Sequence, residues 1–128
     1  MLNQSFLPGW LYRDEEIHRL DCTLYANHFW HPVAAAADLR PGQSLAITLL
    51  RQPLLLTWPE GEQPRAFRNR CPHRGAAFQA DGEAGKPCRR LICPYHGWTY
   101  NLQGELLAAT RESDFEHGFD RRDWGLHE

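Results

Sequence analysis

Two short stretches constrain this chain more than anything else in it. "RNRCPHRG" at 68–75 sets Cys71 and His73 in a C-x-H pair, and "CPYHGW" at 93–98 sets Cys93 and His96 in a C-x-x-H pair, with 19 residues between His73 and Cys93. Proline follows each cysteine and glycine follows each Cys/His pair, so both read as sharply turning loops rather than strands or helices. A fold that uses the four side chains together must carry residues 74–92 out and back. Cys22, Cys71, Cys88 and Cys93 could form two disulfides, but the histidines beside Cys71 and Cys93 argue for metal instead. The start "MLNQSFLPGW" lacks the basic and apolar regions of a secretory leader, and no run of 18 apolar residues is present. A cytoplasmic setting is therefore expected, with no membrane partner and with thiols kept reduced. A net charge of −2 gives no basic footprint for nucleic acid, and 128 residues suffice for one domain with one modest core.

The surrounding pattern predicts a mainly β domain with a helical lead-in at about 13–29. In "RDEEIHRLDCTLYANHFW", Asp14 suits an N-cap, Glu15 and Glu16 suit the positive end of a helix, and Ile17, Leu20, Leu24 and Tyr25 recur at helical spacing. One amphipathic helix packed on the domain is expected. His28 and His31 read as helix-end residues, since no third ligand lies near them and Pro32 follows directly. From Trp30 onward, "WHPVAAAADL", "SLAITLL", "PLLLTWPE" and "RAFRN" read as short strands, and "LICP", "WTYN" and "ELLAAT" as a second group. "NLQG" is the expected hairpin turn of that group, "ADGEAGKP" is a flexible loop, and Pro53 and Pro59 fall at strand edges. The architecture predicted is a small, mostly antiparallel β-sandwich or barrel.

Cys71, His73, Cys93 and His96 form the candidate ligand set. A structural zinc ion is the simplest use of two cysteines and two histidines. In extended backbone, however, residues i and i+2 face the same way but lie about 6.6 Å apart, so closing both on one ion demands a sharp local turn. Two irons relax that demand. Four thiolates leave an oxidised two-iron, two-sulfide cluster doubly negative, whereas two thiolates and two neutral imidazoles leave it neutral and easier to reduce. The chemistry follows that count: mixed Cys/His clusters have potentials of about −150 to +300 mV, against about −400 mV for plant-type all-cysteine clusters.

"CPHRG" and "CPYHGWTY" resemble the paired loops of Rieske domains, specifically those of Rieske-type non-haem iron oxygenases such as the ring-hydroxylating dioxygenases. "YANHFWHPV" is similar to the lead-in of those large subunits, and "DFEHGFDRRDWGL" to the stretch after their cluster loops. The resemblance implies one [2Fe-2S] cluster per chain, with Cys71 and Cys93 on one iron and His73 and His96 on the other. It also implies electron transfer without oxygenation by this domain itself, because protein and sulfide fill every iron position. Electrons would arrive from a ferredoxin or flavin reductase and pass to a mononuclear-iron catalytic domain. The D-x-x-H-x₄-H arrangement of such a domain is not found in this chain. A free-standing Rieske ferredoxin is the alternative, with a zinc module third.

Departures from the wider family carry expectations of their own. High-potential Rieske proteins have a cysteine in each loop forming a disulfide; Ala76 and Tyr95 hold those places here. Their sulfide-directed serine is matched by Trp98, while Tyr100 falls where a cysteine-directed tyrosine would sit. With one sulfur donor lost, the potential is expected at the low end of the Rieske range. It is also expected to fall as pH rises through the histidine ligands' pKa values, since each imidazole keeps a second ring proton. A potential that stayed constant across the alkaline range would rule that out.

Further residues enter as neighbours of the loops. Gly75 and Gly97 end them, and Arg74 faces acceptors near the cluster, a partner, or solvent. Phe78, Tyr95 and Trp98 would exclude water and form an apolar rim. Cys88 competes as a ligand because Cys88-x₄-Cys93-x₂-His96 echoes a plant-type spacing, but it leaves the paired loops unexplained. Cys22 is expected to be a small buried side chain in the helix.

Overall fold

A computed structural model describes residues 7–82, 86–115 and 118–128. The opening "MLNQSF", the centre of "ADGEAGKP" and residues Glu116 and His117 of "DFEHGFDRRDWGL" lie outside the described residues. The chain divides into a unit of residues 1–32 and a unit of residues 33–128.

In the first unit a 3-10 turn at Leu11–Arg13 leads into helix α1, Glu15–His28. Asp14 caps it as expected, its carboxylate accepting from the backbone N–H groups of Glu16 and Ile17 at 3.0 Å each. The helix stops at Phe29, whose backbone is extended. His31 takes the helix-end role expected of it: its Nε2 donates to the Tyr25 carbonyl at 2.8 Å, a second donor to the carbonyl that also accepts from the Phe29 backbone N–H at 3.1 Å. Cys22 is buried. Among the described residues no helix is long and apolar enough to cross a membrane.

The second unit holds two antiparallel sheets. Strands β1 (Gln43–Leu49), β2 (Gln52–Trp58), β3 (Arg65–Arg68) and β4 (Lys86–Pro87) form one sheet in the order β3-β2-β1-β4. Strands β5 (Leu91–Ile92), β6 (Thr99–Tyr100) and β7 (Leu106–Ala108) form the other in sequence order. "NLQG" is the β6–β7 turn, closed by Asn101 N–H to Glu105 O at 3.0 Å. Apolar side chains from both sheets share one core with the two loop cysteines; Leu55, Trp98 and Tyr100 are wholly enclosed. Thr57 of β2 ties the sheets together, its hydroxyl donating to the Leu102 carbonyl at 2.7 Å.

Two expectations need correction. "WHPVAAAADL" is not a strand: residues 36–38 form a turn, with Asp38 N–H donating to Ala35 O at 2.9 Å and the Asp38 carboxylate accepting from Ala35 N–H at 3.2 Å. Alanine has little strand preference, so local side-chain turn chemistry wins there. The end of "ADGEAGKP" is also more ordered than a flexible loop, because Lys86 and Pro87 pair with Ser44 and Gln43 of β1. Pro87 is tolerated because β4 is an edge strand.

The β1–β2 hairpin turns on Leu50 (φ 46°) and Arg51 (φ 67°), both in the left-handed region that glycine and asparagine occupy at least cost. The paired substitution Leu50→Asn with Arg51→Gly is expected to stabilise the domain by about 1–2 kcal/mol. Chemical denaturation checks it; an unchanged or lowered midpoint would show that the turn is not strained.

Candidate metal centre

The two loops share one hydrogen-bond frame. In the first, Gly75 N–H donates to Cys71 O and Cys71 N–H to Ala76 O, both at 2.8 Å. In the second, Gly97 N–H donates to Cys93 O at 3.0 Å and Cys93 N–H to Trp98 O at 2.8 Å. Each glycine is left-handed, with φ of 74° and 71°, which is why C-P-x-x-G recurs. The frames match while the histidine sits at the third place in one loop and the fourth in the other. The unequal spacing of C-x-H and C-x-x-H is thus a difference in where an imidazole is mounted on one and the same turn.

These twin turns bring the four side chains together as two pairs. The Cys71 and Cys93 thiols are neighbours in the core and are 2% and 3% exposed. The His73 and His96 rings meet edge to face with centroids 4.8 Å apart, and both residues are half-buried. Among the described residues no three His, Cys, Asp or Glu side chains are grouped around a single-ion position. The pairing is of thiol with thiol and imidazole with imidazole.

Protonation follows burial. Burial pushes the Cys71 thiol up, and the neighbouring Cys93 adds to that, while the His73 backbone and the Tyr100 hydroxyl pull it down. Burial draws His73 below the ordinary histidine range, with the positive charges of His96 and Arg74 acting in the same direction. Tyr100 is held as a neutral phenol, chiefly by burial and then by Cys71, and its hydroxyl lies 3.8 Å from Cys71 Sγ.

The other expected neighbours surround the pairs. Trp98 is wholly buried, whereas Tyr95 is exposed and lies over His96 with ring centroids 3.8 Å apart. Arg74 is exposed. The Cys88 thiol donates to the Arg90 carbonyl at 2.9 Å. All four cysteines are unpaired thiols.

Two supports were missed from sequence. Asn69 is buried and staples the ends of the first loop, its amide donating to Gln79 O at 2.8 Å and accepting from Phe78 N–H at 2.9 Å. Thr110 holds the second, donating to the His96 carbonyl at 3.0 Å. Neither contact has a local signature.

The residues fit a metal cluster on two grounds. A buried pair of thiols becomes a stable thiolate pair only beside cationic charge. Moreover, His96 Nδ1 is buried without a hydrogen-bond partner, an acceptor position that a metal ion would satisfy.

A two-sheet domain carrying thiol and imidazole pairs on twin loops is an iron–sulfur protein of the mixed-ligand class. The chain belongs to the Rieske [2Fe-2S] domain family, which matches residues 29–116, and its cofactor is a [2Fe-2S] cluster. It is 32% identical over 121 residues to the glycine betaine monooxygenase oxygenase subunit of Pseudomonas aeruginosa, covering 94% of this chain and 27% of that protein. Against the biphenyl dioxygenase alpha subunit of Paraburkholderia xenovorans the identity is 24% over 130 residues, covering 95% and 28%. The solved quaternary ammonium Rieske monooxygenase CntA with L-carnitine superposes with a TM-score of 0.80 at 27% identity, covering 94% of this chain and 34% of that one. The chain therefore spans about a quarter to a third of the length of these relatives.

Proposed function

We propose that this domain relays single electrons within a Rieske-type non-haem iron oxygenase, with Cys71 and Cys93 holding one iron and His73 and His96 the other. The observation that carries this reading is the sorting of four side chains into a buried thiol pair and a half-buried imidazole pair on matched loops. When bound, a cluster of this type supplies reversible one-electron chemistry at a potential its ligands and their hydrogen bonds set. The chain's own residues shape that setting. The enclosed thiols exclude water from the cysteine side and Trp98 covers one face of His73, while the half-buried His73 and His96 leave an edge through which electrons can pass. Oxygenase subunits among the relatives favour this role over a free-standing Rieske ferredoxin.

In the intact enzyme, electrons would come from a ferredoxin or flavin reductase and go to a mononuclear-iron domain, in the cytoplasm. The test is iron and acid-labile sulfide content, with electron paramagnetic resonance after dithionite reduction. Two irons, two sulfides and a rhombic signal of low average g are expected. Zinc without sulfide would overturn the proposal.

Tyr100 provides a graded check. Its hydroxyl lies 3.8 Å from Cys71 Sγ, so Tyr100→Phe removes about 1 kcal/mol of stabilisation from the more electron-rich sulfur. That corresponds to a potential lower by about 40 mV for a one-electron couple. Protein-film voltammetry of loaded protein reads the shift, and a potential equal to the parent's would remove Tyr100 from the tuning groups.

A further inference from the structure

Trp98 is the side chain that joins the two loops. Its backbone carbonyl closes the second loop by accepting from Cys93 N–H, while its indole lies flat on His73 of the first, with centroids 4.7 Å apart and planes 2° from parallel. Among the described residues no hydrogen bond holds the His73 ring. Rotation of an imidazole about its Cβ–Cγ bond is soft, so the flat contact with the indole, together with the edge contact of His96 at 4.8 Å, selects its plane. The indole also keeps its Nε1 buried with no acceptor, a desolvation cost that a phenyl ring would avoid. Its broad plane, not its polar atom, is what the site uses.

The indole is in turn braced from behind. Trp124 and Phe119 meet it edge to face at 5.2 and 5.6 Å, and they stack on each other at 5.7 Å. Both rings flank a clamp at Arg121, whose guanidinium donates to the Glu112 carboxylate at 3.0 and 3.1 Å and to the Leu107 carbonyl of β7 at 2.7 Å. The path from β7 to the imidazole runs from Arg121 to Phe119 and Trp124, then to Trp98, then to His73.

We propose that Trp98 is a positioning residue that sets the plane of the His73 imidazole, and that Phe119 and Trp124 hold Trp98 in register. The inference rests on the reading of His73 as an iron ligand. It assigns the stretch 119–124 an action on the centre through packing alone.

The test compares the cluster-loaded parent with Trp98→Phe, Trp98→Leu and Trp124→Leu, matched for iron and sulfide content. The readouts are the g-values of the reduced protein and its nitrogen-14 couplings by pulsed electron paramagnetic resonance. The parent is expected to show two imidazole couplings. Trp98→Leu, which keeps apolar volume but no plane, is expected to broaden the g-values and shift one coupling while leaving the other in place. Trp98→Phe should restore most of the parent spectrum, and Trp124→Leu should give the leucine effect in weaker form. Parent-like couplings in both leucine variants would overturn the inference and leave the ligand reading intact. A parent without two nitrogen couplings would overturn the ligand reading itself, and this inference with it. Should Trp98→Leu fail to load, Trp124→Leu decides, because it leaves Trp98 in place: a parent spectrum there counts against the inference.

Discussion

Cys71→Ser is expected to abolish cluster assembly, with iron and labile sulfide both falling at least about tenfold and the visible absorption lost. Cys71 sits at 2% exposure beside Cys93, so a serine there places a hydroxyl that does not ionise near neutral pH where a soft thiolate is needed. The surrounding core gives little room for water or another ligand to substitute, since Leu91, Phe78 and Tyr100 are all buried in the same cluster. Cys88→Ser is the control and is expected to leave iron and sulfide at parent levels. Its thiol is spent on the Arg90 carbonyl, and it lies outside both turns. The two results together decide between the competing ligand sets: a cluster that survived Cys71→Ser, or one lost with Cys88→Ser, would transfer the assignment to Cys88. Metal binding and folding are coupled in sites of this kind, so the Cys71→Ser protein should also unfold at lower temperature than the parent.

What could be read from sequence here was what is written locally. Asp14 announces a helix start because its side chain reaches only to Glu16 and Ile17, and the C-P-x-x-G turns close on themselves within six residues. Patterned runs such as "SLAITLL" and "PLLLTWPE" gave β1 and β2 because one hairpin pairs them directly. The alanine-rich run after Trp30 has the apolar content of a strand without its preference, and Asp38 offers the backbone a turn there. The role of Asn69 was invisible, since a buried amide joining Phe78 to Gln79 looks in sequence like any polar residue after a strand. The bracing of Trp98 by Phe119 and Trp124 was equally hidden: ring contacts across more than twenty residues follow no period. Matched loop frames were half legible, as the repeated motif was plain but the shared hydrogen bonds were not.

Gly104→Ala is expected to be the most destabilising single methyl that can be added at a glycine among the described residues. Gly104 has φ of 87°, and a Cβ there would lie 2.7 and 2.8 Å from Cε1 and Cζ of Phe67 and 3.3 Å from Cβ of Leu126. Phe67 cannot swing aside, because it is 2% exposed and sits on β3, the partner of β2 in the other sheet. The turn cannot retreat either: the Gly104 carbonyl accepts from Leu126 N–H at 2.8 Å, and the neighbouring Leu102 carbonyl is held by Thr57. Overpacking costs about 1–3 kcal/mol and a left-handed alanine about 1–2 kcal/mol more. The combined loss of about 2–5 kcal/mol is a large part of the stability a domain of this size has. Gly61→Ala separates the two contributions, since Gly61 has φ of 76° with nothing within 4 Å of an added Cβ. It should lose only the conformational part. Denaturant unfolding of the loaded proteins, followed by far-ultraviolet circular dichroism, measures both, and equal losses in the two variants would mean that Phe67 yields and the sheets are not locked at Gly104.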